Sequence, residues 1–230
     1  MAQYVAVVQA RAVFVRRYES TDIESVRDVC FETGLMGDTI ASQFGDRDTF
    51  AHLFCDWYLL YRPDTCWVVD DADRPAERGR VIGYLIASPD PPNEARHHRR
   101  VLSRHLVGRR VILRSDTVGF FGRAILDLAR DRRTLAPIDT LRYPAEMHMN
   151  LLPSARGRGM GSALMDSLVA RLSELQVPGI HLGTFGENSG AIAFFESQGF
   201  RPLGDALPNP GFRLADGSRA TVRRFCRSLA

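Results

Sequence analysis

The sequence predicts an α/β (α+β) domain with helices flanking a sheet that contains both parallel and antiparallel neighbours. Two observations carry this. Residues 143–184 read as strand, glycine-rich turn, amphipathic helix and a second, parallel strand. Residues 65–87 read as a β-hairpin, with Thr65–Asp70 and Val81–Ala87 joined by a polar loop over 71–80.

In chain order, Ala12–Arg17 reads as a first strand. Glu19-Ser20-Thr21-Asp22 follows, where Ser20 or Thr21 is placed to cap a helix through Phe31. Ile23, Val26, Val29 and Cys30 share one face of it. A second helix is expected over Asp48–Leu60, with Phe50, Leu53, Phe54 and Trp57 inward. Between the two lies a loop, 32–46, carrying Thr33, Asp38, Thr39 and Gln43. After the hairpin, residues 89–141 intervene before the next strand, a stretch too rich in helical pattern for a structureless loop. It carries Arg96-His97-His98-Arg99-Arg100, Arg104-His105 and Arg109-Arg110, and then a helix over Phe120–Leu128. No carboxylate or cysteine stands at ligand spacing beside these histidines, so no metal is expected. Base-stacking aromatics are not interleaved with the arginines, so nucleic acid is not expected either. A solvated helical face accounts for the arginines, ahead of a lid over an acceptor site or a homodimer contact. The tail ends in a turn, Pro208-Asn209-Pro210-Gly211, and an alternating strand over Arg219–Arg227.

The unit at 143–184 carries chemistry. Tyr143–Leu152 is the first strand, Pro153–Ser162 the turn, and Leu164, Leu168, Leu172 and Leu175 the apolar stripe of the helix. Pro178-Gly179 stops that helix before the strand Ile180–Thr184. Turn glycines let backbone N–H groups approach a ligand, and the first helical turn adds unpaired N–H groups and a positive dipole end. The combination suits a pyrophosphate. Arg156 and Arg158 add positive charge. Gly157, Gly159 and Gly161 alternate and so miss the dinucleotide-binding spacing, and Gly161-Ser162-Ala163 lacks the ending of a P-loop.

What the turn does contain is Arg-x-x-Gly-x-Gly, as Arg156-Gly157-Arg158-Gly159-Met160-Gly161. This resembles the pyrophosphate-binding motif of the GNAT acetyltransferase superfamily. The segment Asn188-Ser189-Gly190-Ala191-Ile192-Ala193-Phe194-Phe195-Glu196-Ser197-Gln198-Gly199-Phe200 is similar to the second motif of that family, in the expected order. Asn188 is placed to cap this short helix and Gly199 to stop it in a left-handed conformation. The insertion at 89–141 and the Tyr-Pro-x-x-x-His start of the strand also resemble bacterial relatives of the acetyltransferase-like domain attached to animal O-GlcNAcases.

The resemblance implies a mostly antiparallel GNAT-like sheet that splays between its two central parallel strands, in a single domain spanning 1–230. It implies acetyl-CoA as cosubstrate, held by Met149, Asn150, Leu151, Arg156, Gly157, Arg158, Gly159, Met160, Gly161, Ser162, Asn188, Ala191 and Phe195. Main-chain groups of Met149 and Leu151 would pair with the pantetheine arm as an added strand does. It further implies direct attack by the amine of an acceptor (a small molecule, peptide or protein) on the thioester. Glu146 and His148, two apart on one face, are the candidate bases. The bases familiar in the superfamily fall instead at Ala145 and Met147, so a β-bulge is expected if Glu146 and His148 take that role. Phe195 stands where many members have a tyrosine and cannot donate a proton to the leaving thiolate. A cofactor-binding module without efficient catalysis is therefore the alternative.

Composition narrows the remaining classes. The formal charge of +3 is too small to imply nucleic acid, and the absence of lysine reads as genomic bias. Four cysteines without a C-x-x-C pattern suggest reduced, buried thiols and a cytoplasmic setting. No apolar run is long enough for a membrane span, and Met1–Phe14 lacks the features of a signal peptide.

Overall fold

In a computed structural model, residues 13–75, 80–89, 115–133 and 137–229 are described. The arginine- and histidine-rich run at 96–110 lies outside them. An eight-stranded sheet forms the centre: β1 (Val13–Arg17), β2 (Cys66–Asp71), β3 (Val81–Ser88), β4 (Ala145–Leu151), β5 (Gly179–Phe185), β6 (Arg201–Pro202), β7 (Leu207–Arg213) and β8 (Arg219–Ser228). The order is β1-β2-β3-β4-β5-β8-β6, with β7 also on β8. All pairs are antiparallel except β4 with β5. That parallel pair is joined only at Ala145↔Ile180 and Glu146↔His181, and beyond it the strands part. The splayed mixed sheet is thus present.

The helices are α1 (Ile23–Glu32), α2 (Arg47–Phe54), α3 (Asp56–Tyr61), α4 (Ser115–Arg130), α5 (Met160–Glu174) and α6 (Ser189–Ser197). Several differ from expectation for identifiable reasons. Glu19, not Ser20 or Thr21, caps the start of the first helical segment, in a reciprocal capping box with Asp22. The single helix expected over 48–60 is two, broken at Cys55 (φ −126°). Just past the break, Asp56 is buried and chelated by Arg27 Nε and Nη2 (2.9 and 2.6 Å) and by His52 Nδ1 at 3.0 Å. Tyr58 and Leu59 fill the core there, while Leu53, Phe54 and Trp57 are only half-buried. Along α5, Leu164, Leu168 and Leu172 are buried as expected, but Leu175 is the C-cap and 38% exposed. The turn expected at Pro208–Gly211 is instead the interior of β7, irregular in register between Pro208 and Arg213.

The two faces of the sheet carry different helices. Asn150 donates from Nδ2 to Thr33 Oγ1 (2.6 Å), beside the end of α1. Its neighbour Leu151 points the other way, its side chain close to Gly161 at the start of α5. On the α5 side, Phe195 of α6 packs against Phe225 of β8 (ring centroids 6.4 Å). Helices α1 to α3 therefore cover one face, and α5 and α6 the other.

Helix α4, which lies within the 89–141 stretch, is docked on β7. Asp127, 1% exposed in its side chain, accepts from Arg213 Nη1 and Nη2 (2.7 and 3.1 Å) and from the Gly211 N–H (3.1 Å). Arg219 Nε lies 3.3 Å away. Gln43 exchanges two hydrogen bonds with the main chain of Arg213 (2.6 and 2.9 Å), tying the α1–α2 loop to the same strand.

Candidate active site

Where β4 and β5 part, a cavity of about 760 Å³ opens through the sheet. By the face assignment above, it has two ends. On the α5–α6 face it is lined by the glycine turn and by Asn188, Ala191 and Phe195. On the α1–α3 face it is lined by Thr33, Phe50, Phe54 and Tyr84, with Phe185 and Phe212 closing it. Glu146 and His148 line it near the vertex of the fork.

The turn is built by backbone geometry. Gly157 (φ 67°) and Gly159 (φ 76°) are left-handed, a conformation that costs an L-residue about 1–2 kcal/mol. A Cβ on either would meet no protein atom within 4 Å, so both face open space. Helix α5 makes its first i→i−4 bond from Ala163 N–H to Gly159 O (3.0 Å), which leaves the N–H groups of Met160, Gly161 and Ser162 ahead of the helical ladder. Gly161 has a different task. A Cβ there would lie 3.1 Å from the Phe194 ring, so this glycine lets α5 and α6 approach.

The two arginines are not disposed as expected. Arg156 lines the cavity, but its guanidinium donates from Nε to Leu151 O (2.9 Å) and from Nη2 to Gly37 O (2.8 Å), bracing the turn against the α1–α2 loop. Arg158 reaches back to Ser154 O at 3.5 Å on the exposed rim and is not among the lining residues. Asn188 caps α6 by accepting from the Ala191 N–H (3.0 Å), and Gly199 (φ 81°) ends it. Phe195, 6% exposed, borders the cavity while packing on Phe194 and Phe200.

Strand β4 offers its free edge to the cleft. Leu152 N–H donates to Ile82 O (2.9 Å), so even-numbered main-chain groups face β3. By alternation, those of Met147, Met149 and Leu151 face the gap left by β5. Leu151 O already accepts from Arg156; the Leu151 N–H and the main chain of Met149 point into the fork. Asn150 and Ser162 also line the cavity, but their side chains are engaged. Asn150 donates to Thr33, whose own hydroxyl donates to Val29 O (2.6 Å); Ser162 Oγ accepts from Gln198 Nε2 (3.3 Å).

The β-bulge expected in β4 does not occur, since its register with β3 runs unbroken from Gly83↔Leu151 to Ser88↔Glu146. Ala145 and Met147 are buried at 0% and 1%. Glu146 and His148 reach the cavity on the opposite side of the strand without any bulge. His148 stacks edge-on against Tyr58 (centroids 5.4 Å, 74°). Burial pulls its imidazole below the ordinary value; Glu146 pulls the other way and His181 adds to the lowering.

His181 was not singled out in the sequence, yet it completes this cluster. Its Nδ1 lies 2.7 Å from Tyr143 O; a carbonyl only accepts, so Nδ1 carries the proton. That turns Nε2 toward Glu146 Oε2 at 4.0 Å. Nothing in its sequence context marks it; the parallel register sets His181 directly beside Glu146.

A mixed sheet forked at two central parallel strands, with a glycine turn and helix N-terminus at one mouth of the fork, is the architecture of GNAT acetyltransferases. Residues 122–200 match the model of the Acetyltransferase (GNAT) family. Among solved structures, the chain is similar to SsHAT at 27% identity, with a TM-score of 0.69 and coverage of 95% of this chain and 99% of that one. A GNAT superfamily phosphinothricin acetyltransferase from Sinorhizobium meliloti, in complex with AcCoA, is 20% identical (TM-score 0.56, covering 95% and 89%). The ribosomal-protein-S18-alanine N-acetyltransferase from Escherichia coli is 14% identical (TM-score 0.52, covering 95% and 95%). The family model matches the stretch that carries the glycine turn, β5 and α6, and the neighbours share the GNAT-like fold. Among the described residues no helix is long and apolar enough to cross a membrane, and no cluster of histidine, cysteine or acidic side chains is arranged to hold a metal.

Proposed function

We propose that this chain is an acetyl-CoA-dependent N-acetyltransferase acting by direct attack in the β4–β5 fork. One observation carries the reading: a single cavity joins the open glycine turn to the Glu146–His148 pair through the gap in the sheet. The pyrophosphate of acetyl-CoA meets the N–H groups of residues 157–162, with the dipole of α5 behind them. Because Arg156 is engaged by two carbonyls and Arg158 lies on the rim, main-chain groups do most of this holding. The pantetheine amides pair with Met149 and the Leu151 N–H, and the thioester lies near the vertex.

The acceptor nitrogen, once neutral, attacks the thioester carbonyl carbon. A C–N bond forms, the C–S bond breaks, and the thiolate of CoA departs. The proton lost by the amine passes to His148, whose lowered pKa keeps it neutral and able to accept at physiological pH. Glu146, oriented beside His181, supplies the negative charge that draws the ammonium form of the acceptor in. The four cysteines, free and buried, support a reducing and hence cytoplasmic setting.

Titration with acetyl-CoA tests the binding half. It should raise Tm, and Gly159→Val should remove most of that rise because the new side chain fills the space the phosphates need. Gly161→Val is the poorer probe, since it also clashes with Phe194. An unchanged Tm at saturating acetyl-CoA would sink the assignment.

One observation favours a second reading, a binding module with little catalysis. Phe195 offers no hydroxyl where the resemblance places a proton donor. Phe195→Tyr should raise slow acetyl transfer to a generic amine roughly a hundredfold if protonation of the thiolate limits the rate. Its ring is more enclosed than the sequence suggested, so acetyl-CoA affinity must be measured alongside. A variant that binds acetyl-CoA normally and transfers no faster from pH 6 to 9 speaks for the binding module.

A further inference from the structure

We infer that the acceptor is a primary amine carried on an aromatic or extended apolar group; this rests on the acetyltransferase reading above. The α1–α3 end of the cavity is walled by Phe50, Phe54, Phe185, Phe212 and Val222, with Asn209 as a polar group; the hydroxyls of Thr33 and Tyr84 at this end are already engaged, with Val29 O and Asn150 and with Cys55 Sγ. These walls come from four elements, α2, β5, β7 and β8, and their rings form one connected structure. Ring contacts run from Phe54 to Phe50 (4.6 Å), Phe50 to Phe44 (5.5 Å), Phe44 to Phe120 (5.2 Å), Phe120 to Phe212 (5.0 Å) and Phe212 to Phe185 (5.2 Å). Phe120 belongs to α4, so the insertion supplies the ring that joins the α2 wall to the β7 wall. Its helix is clamped by the Asp127–Arg213 pair, which gives the insertion a positioning role in shaping this end of the site.

Charge sharpens the assignment. Among the described residues that line the cavity, Glu146 and Arg156 are the only Asp, Glu or Arg side chains, and Arg156 is held at the turn by two carbonyls. The acceptor end therefore matches one positive centre, at the fork, attached to an apolar body. A polyamine or aminosugar brings further ammonium groups or hydroxyls that the ring wall cannot satisfy, and leaving them unpaired on burial is costly. An aryl group instead gains edge and face contacts with the rings. The same apolar walls disfavour the ammonium form of the acceptor, which helps deliver the neutral nucleophile.

The test uses the whole chain at saturating acetyl-CoA, with release of CoA thiol as readout. 2-Phenylethylamine and hexylamine are compared with ethanolamine, spermidine and a lysine-containing peptide. The expected result is a kcat/KM for the first two at least about tenfold above the others. Phe54→Ala should raise KM for 2-phenylethylamine roughly tenfold with little change in kcat, and Phe54→Leu should recover most of the loss. The acetyl-CoA-induced rise in Tm reports separately on folding and on the cosubstrate site. Preference for spermidine, ethanolamine or the peptide overturns the inference and leaves the acetyltransferase reading standing. Transfer to none of the amines while acetyl-CoA still raises Tm also overturns the inference, and speaks for the binding module instead. Failure of acetyl-CoA to raise Tm at all removes the acetyltransferase reading, and the inference with it.

Discussion

His148→Asn lowers kcat roughly a hundredfold or more and leaves the acetyl-CoA-induced rise in Tm intact. The expectation rests on the side chain's place in the cavity wall and on its environment. Burial disfavours the imidazolium, so the neutral form, the one able to accept a proton, persists to lower pH than for an ordinary histidine. The sign follows directly: activity in the parent should climb with pH as the imidazolium loses its proton, and level off below the usual histidine range. In His148→Asn that acidic limb disappears together with the rate. Glu146→Gln should act differently, raising KM for the acceptor more than it lowers kcat, because it removes the charge that attracts the ammonium. Rate–pH profiles of the three proteins check this. A full-rate His148→Asn enzyme with an unchanged acidic limb would move the base to Glu146, acting with His181 at 4.0 Å.

Much of this site was legible in the sequence because it is local. The glycine turn, the α5 stripe, the Asn188 cap and the Gly199 stop lie within one contiguous stretch, where spacing specifies backbone conformation. What was hidden depends on long-range pairing. His181 looks like any strand residue until the parallel register sets it beside Glu146. The break between α2 and α3 accompanies a carboxylate, Asp56, held by Arg27 from the helix before, which periodicity within the segment does not reveal. Strand β7 is masked by two prolines and a glycine. It joins β8 only at its two ends, at Leu207↔Val222 and Pro208↔Thr221 and again at Arg213↔Arg219. Arginine spacing in the turn suggested two phosphate contacts, but carbonyls at Leu151 and Gly37 compete for Arg156, and the second of these is remote in sequence.

The 89–141 stretch is the part whose role the sequence concealed most. Its arginine- and histidine-rich segment suggested a solvated face, while a buried acid, Asp127, anchors α4 by facing two arginines that lie far along the chain, with Arg123 donating to Gly211 O beside it. The ring that carries its influence to the cavity, Phe120, is one of several phenylalanines with nothing in its sequence context to mark it.

Asp127→Ala should cost about 3 kcal/mol of stability, because it leaves Arg213 and the Gly211 N–H without their acceptor in a buried setting. For a chain of this size that corresponds to a fall in Tm of roughly 6–12 °C. Burial alone would raise the Asp127 pKa. The Arg213 hydrogen bonds, the Gly211 N–H and the positive charges of Arg213 and Arg219 outweigh it and hold the carboxyl below the usual carboxylate range. A folded pKa below the unfolded one contributes stability that is complete above the unfolded value and disappears as pH falls through the folded one. The difference in stability between parent and Asp127→Ala should therefore be constant at neutral pH and shrink on acidification below about pH 4. Denaturant melts of both proteins at pH 7 and at pH 3 read it out. Because α4 also holds Phe120 against Phe212, the variant should lose its preference for apolar amines while still binding acetyl-CoA. A variant as stable as the parent at pH 7, with acceptor preference unchanged, would show that the rings of α4 and the Arg123–Gly211 hydrogen bond suffice to dock it, and that the Asp127–Arg213 pair contributes nothing to the shape of the site.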